Sequence, residues 1–331
     1  MEKVILGLSG GVDSAVSARL LQQQGYEVIG LFLDIGGDAR ADAEKVAEFL
    51  GISLICRDIA AELEEHVCAP FAAAYLRGET PNPCIMCNPK VKFKSLYDCA
   101  DELGAKYIAT GHYAVSKDGG IYKGQPQNDQ SYMLCRLTRE QAARLILPLG
   151  PYYKEQVRQL AGEMDVPVAK KPDSMEICFI PDRDYAGFIA KRGETPKAGS
   201  FIFNGEVLGQ HEGIHRWTVG QRIPGLYNER KLYVSEIRPD TNEVVLSLWE
   251  DLFKTKVRAR NMSWLIEEPT GPLRASVKVR HTKWECPECT VTPTSDGGAV
   301  IVTDEAVRAP ARGQAAALYE GQRLIGGGWI V

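Results

Sequence analysis

In this 331-residue chain, the feature that most restricts the fold is the hexapeptide Ser9-Gly10-Gly11-Val12-Asp13-Ser14, set between a short apolar run and an amphipathic stretch. Val4-Ile5-Leu6-Gly7-Leu8 has the length and composition of a strand. Residues 14–24 place Val16 and Leu20 on one helical face before Gly25, where a helix-ending glycine belongs. The pattern then repeats. Val28-Ile29-Gly30-Leu31-Phe32-Leu33 reads as a strand buried on both faces, and residues 39–50 as a helix stopped by Gly51. Leu54-Ile55-Cys56 and Tyr107-Ile108-Ala109 read as further strands, the second following a helix over 91–103. Such alternation builds a doubly wound parallel sheet, so an α/β domain is expected over residues 1–195.

In a sheet of that kind the turn after the first strand faces the ligand crevice. Glycines there let backbone N–H groups close on an anion, and the helix N-terminus adds partial positive charge. Ser9 and Ser14 offer hydroxyls to phosphate oxygens, and Asp13 a carboxylate to Mg2+. The hexapeptide is neither a Walker loop nor a dinucleotide fingerprint. A plain capped turn is the simpler alternative, but the position directly after the first parallel strand favours phosphate.

Beyond residue 195 the texture changes to short alternating runs broken by turns. Asn204-Gly205 separates Phe201-Ile202-Phe203 from Val207-Leu208, a strong hairpin signal. Arg238-Pro239-Asp240-Thr241-Asn242, Asp296-Gly297 and Glu320-Gly321 mark further turns, and a strand over 276–280 places Lys278 and Arg280 on one face. A small central β-containing module over 196–251 and a C-terminal β-barrel over 252–331 are expected. No apolar run approaches the ~20 residues of a membrane helix, and the N-terminus lacks a signal-peptide layout. A cytoplasmic location is therefore expected. There nine cysteines read as core thiols, reactive thiols or metal ligands rather than a disulfide scaffold.

Two cysteines stand out. Thr80-Pro81-Asn82-Pro83-Cys84-Ile85-Met86-Cys87-Asn88 reads as a proline-stiffened loop just before a helix, followed by Lys90, Lys92 and Lys94. Cations and a helix N-terminus lower a thiol pKa, so activated thiolates are expected. Cys178, between Ile177 and Phe179, reads alone as a core thiol, as do Cys56, Cys99 and Cys135; Cys68 has no assigned role. Cys286-Pro287-Glu288-Cys289 has metal-knuckle spacing but no second pair, which favours a tight hairpin over structural zinc.

The hexapeptide resembles the pyrophosphate loop of ATP pyrophosphatases, which adenylate an oxygen and release pyrophosphate. Taken with residues 80–88, Gly111-His112-Tyr113, Asp129-Gln130-Ser131-Tyr132, Leu147-Pro148-Leu149-Gly150, residues 173–180, Thr218-Val219-Gly220-Gln221-Arg222, Gly313-Gln314 and Gly326-Gly327-Gly328-Trp329, the chain resembles the bacterial tRNA-uridine 2-sulfurtransferases nearly end to end. The resemblance implies 2-thiolation of the wobble uridine of tRNA through a C2-O-adenylate, with ATP as substrate and Mg2+. It makes Cys87 the nucleophile and Cys178 the persulfide carrier. ATP contacts fall on Gly7, Leu8, residues 9–14, Leu33 and Gly111. Asn82, Pro83, Cys84, His112 and Gln314 fall near the target base, and Asn128, Asp129 and Gln130 on a tRNA-contacting turn. Many members have aspartate in place of Cys84. The extra thiol leaves two routes open: an iron–sulfur cluster on Cys84, Cys87 and Cys178, or the unchanged persulfide pair. The partners implied are tRNA and a sulfur donor, either a cysteine desulfurase or a sulfur-relay protein, with no membrane and a monomeric chain.

The net charge of −4 does not exclude RNA, because residues 254–283 hold eight basic side chains and two acidic ones. Arg280 lies in this stretch and is expected to face phosphates. Two other classes remain in play: an ATP pyrophosphatase that adenylates a small substrate for amination, and a non-enzymatic RNA-binding or redox protein regulated by ATP.

Overall fold

The computed structural model describes residues 1–331 except 38, 173–176, 194–196, 227–229 and 282–285. The boundary expected after residue 195, the first half of the 173–180 motif and Lys283 lie outside the described residues. The strands β1 (Lys3–Gly7), β2 (Glu27–Asp34), β3 (Ser53–Asp58) and β4 (Tyr107–Ala109) pair in parallel. A hairpin of β5 (Ala114–Lys117) and β6 (Gly120–Lys123) precedes β7 (Leu145–Ile146), and the sheet order is β3-β2-β1-β4-β7.

Strand periodicity sends alternate residues to opposite faces. Val4 and Leu6 pack with Val16, Leu20, Val46 and Leu50 of α1 (Val12–Gln23) and α2 (Ala39–Leu50). Ile5 and Ile108 pack on the other side with Phe93 and Leu96. Two helical runs contain π turns. The first joins α3 (Ala60–Leu63) to α4 (Ala69–Leu76) through Glu64–Cys68; the second joins α5 (Pro83–Cys87) to α6 (Phe93–Glu102) through Asn88–Lys92. The second run corrects two expectations: the helix begins at Pro83 rather than 91, and the proline-rich segment is its first turn rather than a loop. Asn82 Oδ1 accepts from Ile85 N–H at 3.2 Å as the N-cap. Pro83 sits where no N–H is needed, and Pro89 falls in the π turn. Further along come α7 (Arg139–Ala143) and α8 (Lys154–Glu163), the latter packing Val157 and Ala161 beside α1.

The central sheet contains β8 (Gly199–Phe203), β9 (Glu206–His211), β10 (Arg222–Ile223), β11 (Leu232–Arg238) and β12 (Glu243–Ser247), in the order β10-β11-β12-β8-β9. Asn204 and Gly205 take φ of 50° and 83°, as a tight hairpin of this type requires. The C-terminal strands are β13 (Phe253–Trp264), β14 (Leu273–Lys278), β15 (Glu288–Pro293), β16 (Ala299–Arg308), β17 (Ala315–Glu320) and β18 (Arg323–Ile330). Because β13 pairs with both β16 and β18, they close into a six-stranded barrel.

The barrel is joined to the first domain by main-chain pairing, Arg323 to Tyr122 and Leu324 to Ile121 between β18 and β6. Leu265, Ala315, Tyr319 and Leu324 share one core with Phe93 and Tyr132. Three other expectations are corrected. The strand expected over 276–280 ends at Lys278, and Arg280 turns inward: its Nε donates to Ala309 O at 2.9 Å and its Nη2 to Val219 O at 2.5 Å. Arg308 Nη2 donates to Gly220 O at 3.1 Å, so two arginines staple the 218–222 motif to the barrel. Cys289 is buried at the start of β15 rather than in a tight hairpin, and Cys56 is exposed because β3 is an edge strand.

His211 and His215 are buried in the central module near Phe201 and Trp217, and burial lowers both pKa values. The unfolded chain thus takes up protons below about pH 6.5 more readily than the folded state does. Stability should therefore be full well above about pH 6.5 and fall as the pH drops through that value. The His215→Gln variant should flatten this slope by up to one proton, about 1.4 kcal/mol per pH unit, in thermal unfolding at constant ionic strength.

Candidate active site

At the carboxyl end of β1 the chain turns sharply through Gly10, whose φ is +70°. A Cβ there would lie 2.7 Å from Ala43 N, so the loop lies directly against α2. No side chain caps α1, whose N-cap is Gly11; its first amides are left for an anion. Ser14 fixes the loop from within: its hydroxyl donates to Gly11 O at 3.0 Å and accepts from Ser9 N–H at 3.2 Å. Gly7 and Leu8 lead into this turn, and Gly111, two residues beyond β4, packs on it, where a Cβ would meet Asp13 at 3.3 Å. Val12 is buried in the first turn of α1.

Asp13 is already engaged. Lys154 Nζ reaches its two oxygens at 2.7 and 2.8 Å, and Tyr113 Oη donates to one of them at 2.7 Å. This occupied carboxylate does not fit a Mg2+ ligand in this arrangement. A second lysine, Lys171, donates to Asp42 at 2.7 Å and to Gly10 O at 3.2 Å. Two ammonium groups thus flank the phosphate loop, each held by an acid. The sequence reading missed both, because they lie 141 and 129 residues from those partners and carry no motif of their own.

The thiols lie next to this crevice. Cys87, Phe179, Phe188 and Leu33 pack around Ile59, Leu63, Val67, Cys68 and Val91. Leu33, an expected ATP contact, therefore shares an apolar cluster with the expected nucleophile and with the neighbour of Cys178. Burial raises the Cys87 pKa, and Lys92 only partly offsets it. Cys178 has surface exposure, yet the low-polarity surroundings of its sulfur, with Cys87 and Cys84 nearby, push its pKa to about 11. Cys68, buried in the same cluster, is raised to about 12. The activated thiolate expected at Cys87 is thus corrected: it lies at the end of α5, away from a helix N-terminus, and desolvation outweighs the neighbouring lysine. Among the described residues no three His, Cys, Asp or Glu side chains converge as metal ligands. Cys84, Cys87 and Cys178 therefore do not fit a cluster-binding set as placed.

His112 connects the two halves. It follows Gly111, stacks on Phe93 with centroids 6.1 Å apart, and has Nδ1 2.7 Å from Thr110 Oγ1. Burial and the nearby Lys92 hold its pKa well below the usual value, so it is neutral. Gln314 Nε2 donates to Thr80 O at 2.7 Å, tying the barrel to the residues before Asn82 and Pro83. Gly313 permits this approach: φ is +86° and a Cβ would lie 3.1 Å from that of Glu79. The 128–130 turn faces inward. Asp129 accepts from Gly124 N–H, Ser131 N–H and Ser131 Oγ, and Gln130 Oε1 accepts from Tyr113 N–H at 3.0 Å. Asn128 accepts from Lys154 N–H at 2.7 Å in the amide orientation that satisfies both its ends. Arg280, as described above, is likewise spent inside the protein.

Family profiles match in three consecutive pieces: a tRNA methyl transferase HUP domain over 2–182, a tRNA methyl transferase PRC-barrel domain over 187–248 and an aminomethyltransferase beta-barrel domain over 254–330. The tRNA-specific 2-thiouridylase MnmA of Clostridioides difficile is 39% identical over 354 residues, covering 99% of this chain and 98% of that protein. Its counterpart from Carboxydothermus hydrogenoformans is 41% identical, covering 99% and 97%. The chain belongs to the tRNA-specific 2-thiouridylase family. Among solved structures, a 4-thiouridine synthetase–RNA complex with bound ATP aligns at TM-score 0.39 and 18% identity, covering 55% of this chain and 46% of that one. For this 2-thiouridylase-family chain, no described helix is long and apolar enough to cross a membrane.

The raised thiol pKa values have a direct chemical readout. Cys178 should alkylate with iodoacetamide at pH 8 at least tenfold more slowly than free cysteine. Its rate should keep rising up to about pH 10, as followed by peptide mass spectrometry. A plateau near pH 8 would instead reveal an activated thiolate.

Proposed function

We propose that the protein thiolates C2 of the wobble uridine of tRNA, using ATP. The observation that carries this reading is the shared apolar cluster of Leu33, near the carboxyl end of the strand that pairs with β1, with Cys87 and Phe179: the end of the sheet at which such folds bind nucleotides lies against the thiols. The full-length likeness to thiouridylases supports the choice of substrate. A pyrophosphate-type loop with two neighbouring thiols suits adenylation and sulfur transfer better than the methyl transfer for which the matching HUP-domain family is named.

Two stages follow from the chemistry. A C2 oxygen is a poor leaving group, so it attacks the α-phosphorus of ATP, forming the O-adenylate and expelling pyrophosphate. The α1 amides, Ser9 and Ser14 cradle the phosphates. Lys154 and Lys171 transfer part of their charge from Asp13 and Asp42 to the triphosphate, neutralising it where negative charge develops. Mg2+, in this reading, arrives on the triphosphate rather than on Asp13.

In the second stage the terminal sulfur of a Cys178 persulfide, loaded by a sulfur-donor protein, attacks C2 and AMP leaves. Cys87 then attacks Sγ of Cys178 and the S–S bond to the base breaks. The products are 2-thiouridine and a Cys87–Cys178 disulfide, which a cellular dithiol must reduce before the next turnover. Neutral His112, oriented by Thr110, presents its other ring nitrogen to the base. The chain works in the cytoplasm as a monomer in this reading.

With unmodified tRNA transcript, ATP and a persulfide donor, the wild type should form 2-thiouridine detectable by nucleoside mass spectrometry. The Cys87→Ser variant should lose it by at least a hundredfold while still releasing pyrophosphate. Lys154→Met should slow pyrophosphate release at least tenfold. Pyrophosphate release without tRNA, with no need for Cys87, would favour adenylation of a small substrate instead.

A further inference from the structure

A cleft of about 280 Å³ opens between the first domain and the barrel, lined among others by Arg77, Met86, Lys90, Arg136, Arg260 and Trp329. Met86 and Lys90 face this cleft, whereas Cys87 and Val91 pack into the thiol cluster. The cleft and the reactive thiol therefore lie on different sides of one helical run. Arg77 is paired with Glu79 at 3.0 Å. Lys90, Arg136 and Arg260 form no ion pair among the described residues, although the chain as a whole is acidic.

Glu65 and Glu79 also line the cleft, but the four cations Arg77, Lys90, Arg136 and Arg260 outnumber them, and Trp329 adds an aromatic wall. The Arg136 guanidinium lies 5.5 Å from its ring centroid, and Arg260 is its register partner between β13 and β18. Leading away from Arg260, Arg258 and Lys256 occupy alternate exposed positions of β13, while Val257 and Ala259 between them are buried. Alternate residues on a strand stand about 6.6 Å apart, a repeat suited to successive phosphates of an extended single strand. An aromatic platform beside a line of cations is how single-stranded nucleic acid is held.

We propose that this cleft is a second nucleotide subsite, taking a nucleotide that flanks the target uridine in the tRNA. Its base stacks on Trp329, its phosphates meet Lys90 and Arg260, and the RNA backbone continues along Arg258 and Lys256. The inference rests on the tRNA-thiolation reading and gives it a path for the strand. One side of the 83–92 helical run then faces the reacting sulfur, and the other anchors the neighbouring nucleotide.

The test measures binding of full-length protein to unmodified tRNA transcript by fluorescence anisotropy across a salt series. Arg260→Ala, a change at an exposed side chain, should weaken binding about fivefold and reduce the salt slope by about one. Trp329→Ala should weaken it about tenfold with the slope unchanged, and Trp329→Phe should restore it to within about twofold. In transcripts made abasic at one flanking position at a time, one position should erase the difference between wild type and Trp329→Ala. Unchanged affinity in both Arg260→Ala and Trp329→Ala, with wild type still making 2-thiouridine, overturns the subsite alone. Normal tRNA binding combined with slowed sulfur uptake from the donor protein would make the cleft a protein-docking surface and overturn it too. A wild type that neither binds tRNA nor forms 2-thiouridine overturns the functional reading itself.

Discussion

The pairing of β6 with β18 is the contact on which the arrangement of the whole molecule depends. Only Arg323–Tyr122 and Leu324–Ile121 are in register, yet they splice a hairpin of the parallel-sheet domain onto the start of β18, at the rim of the closed barrel. Main-chain hydrogen bonds fix direction as well as distance, so the barrel has little freedom to rotate against the nucleotide crevice. The packing beneath agrees: Tyr132 and Phe93 from the first domain and Tyr319 and Leu324 from the barrel are all fully buried in one cluster. Burying each such side chain contributes about 1.5–3 kcal/mol, which favours one rigid body over loosely tethered domains.

That rigidity is passed on to the thiols through residues 75–83. Gly78 lies against Ile237 of the central module, and Thr80 N–H donates to Arg312 O at 2.7 Å while its own carbonyl accepts from Gln314. All three domains therefore meet just before Asn82 caps α5. A capped and docked first turn gives the following helix a fixed start, and the π turn after Cys87 changes the facing of everything beyond it. Phe93 and Leu96 then lie under the parallel sheet, while Cys87 and Val91 stay in the thiol cluster.

What the sequence disclosed and what it concealed divide along local and non-local physics. The parallel strands, α2, and the Asn204-Gly205 turn depend on neighbours in the chain and were legible there. The start at Pro83 was not, because proline and asparagine also spell a loop, and only the barrel's grip on Thr80 distinguishes the two. Arg280 obeyed strand alternation up to Lys278, after which carbonyls from two other segments drew it inward. Cys56 read as core from its apolar neighbours, but an edge strand leaves one side open. In the site, the phosphate loop and the cysteines were legible as motifs; Lys154 and Lys171 were not, since a cation that serves a distant loop needs no particular neighbours.

The inward wiring of the site bears on how its steps are ordered. Gln130 holds Tyr113, Tyr113 and Lys154 hold Asp13, and Asn128 holds the start of α8, on which Lys154 sits. The phosphate loop is thus flanked by a charge-compensated network rather than an exposed cationic pocket, and a triphosphate must compete with Asp13 for Lys154. The thiols are held back in a comparable way, because desolvation raises the pKa of both Cys87 and Cys178. In the persulfide route proposed above, loading itself supplies the activation that the surroundings withhold, since a persulfide is more acidic and more nucleophilic than its parent thiol. Both halves of the crevice are thus held in check by the protein's own groups. For an enzyme that must avoid hydrolysing ATP or oxidising its own cysteines between encounters with tRNA, that restraint is a functional property of the fold, set by burial and by two ion pairs.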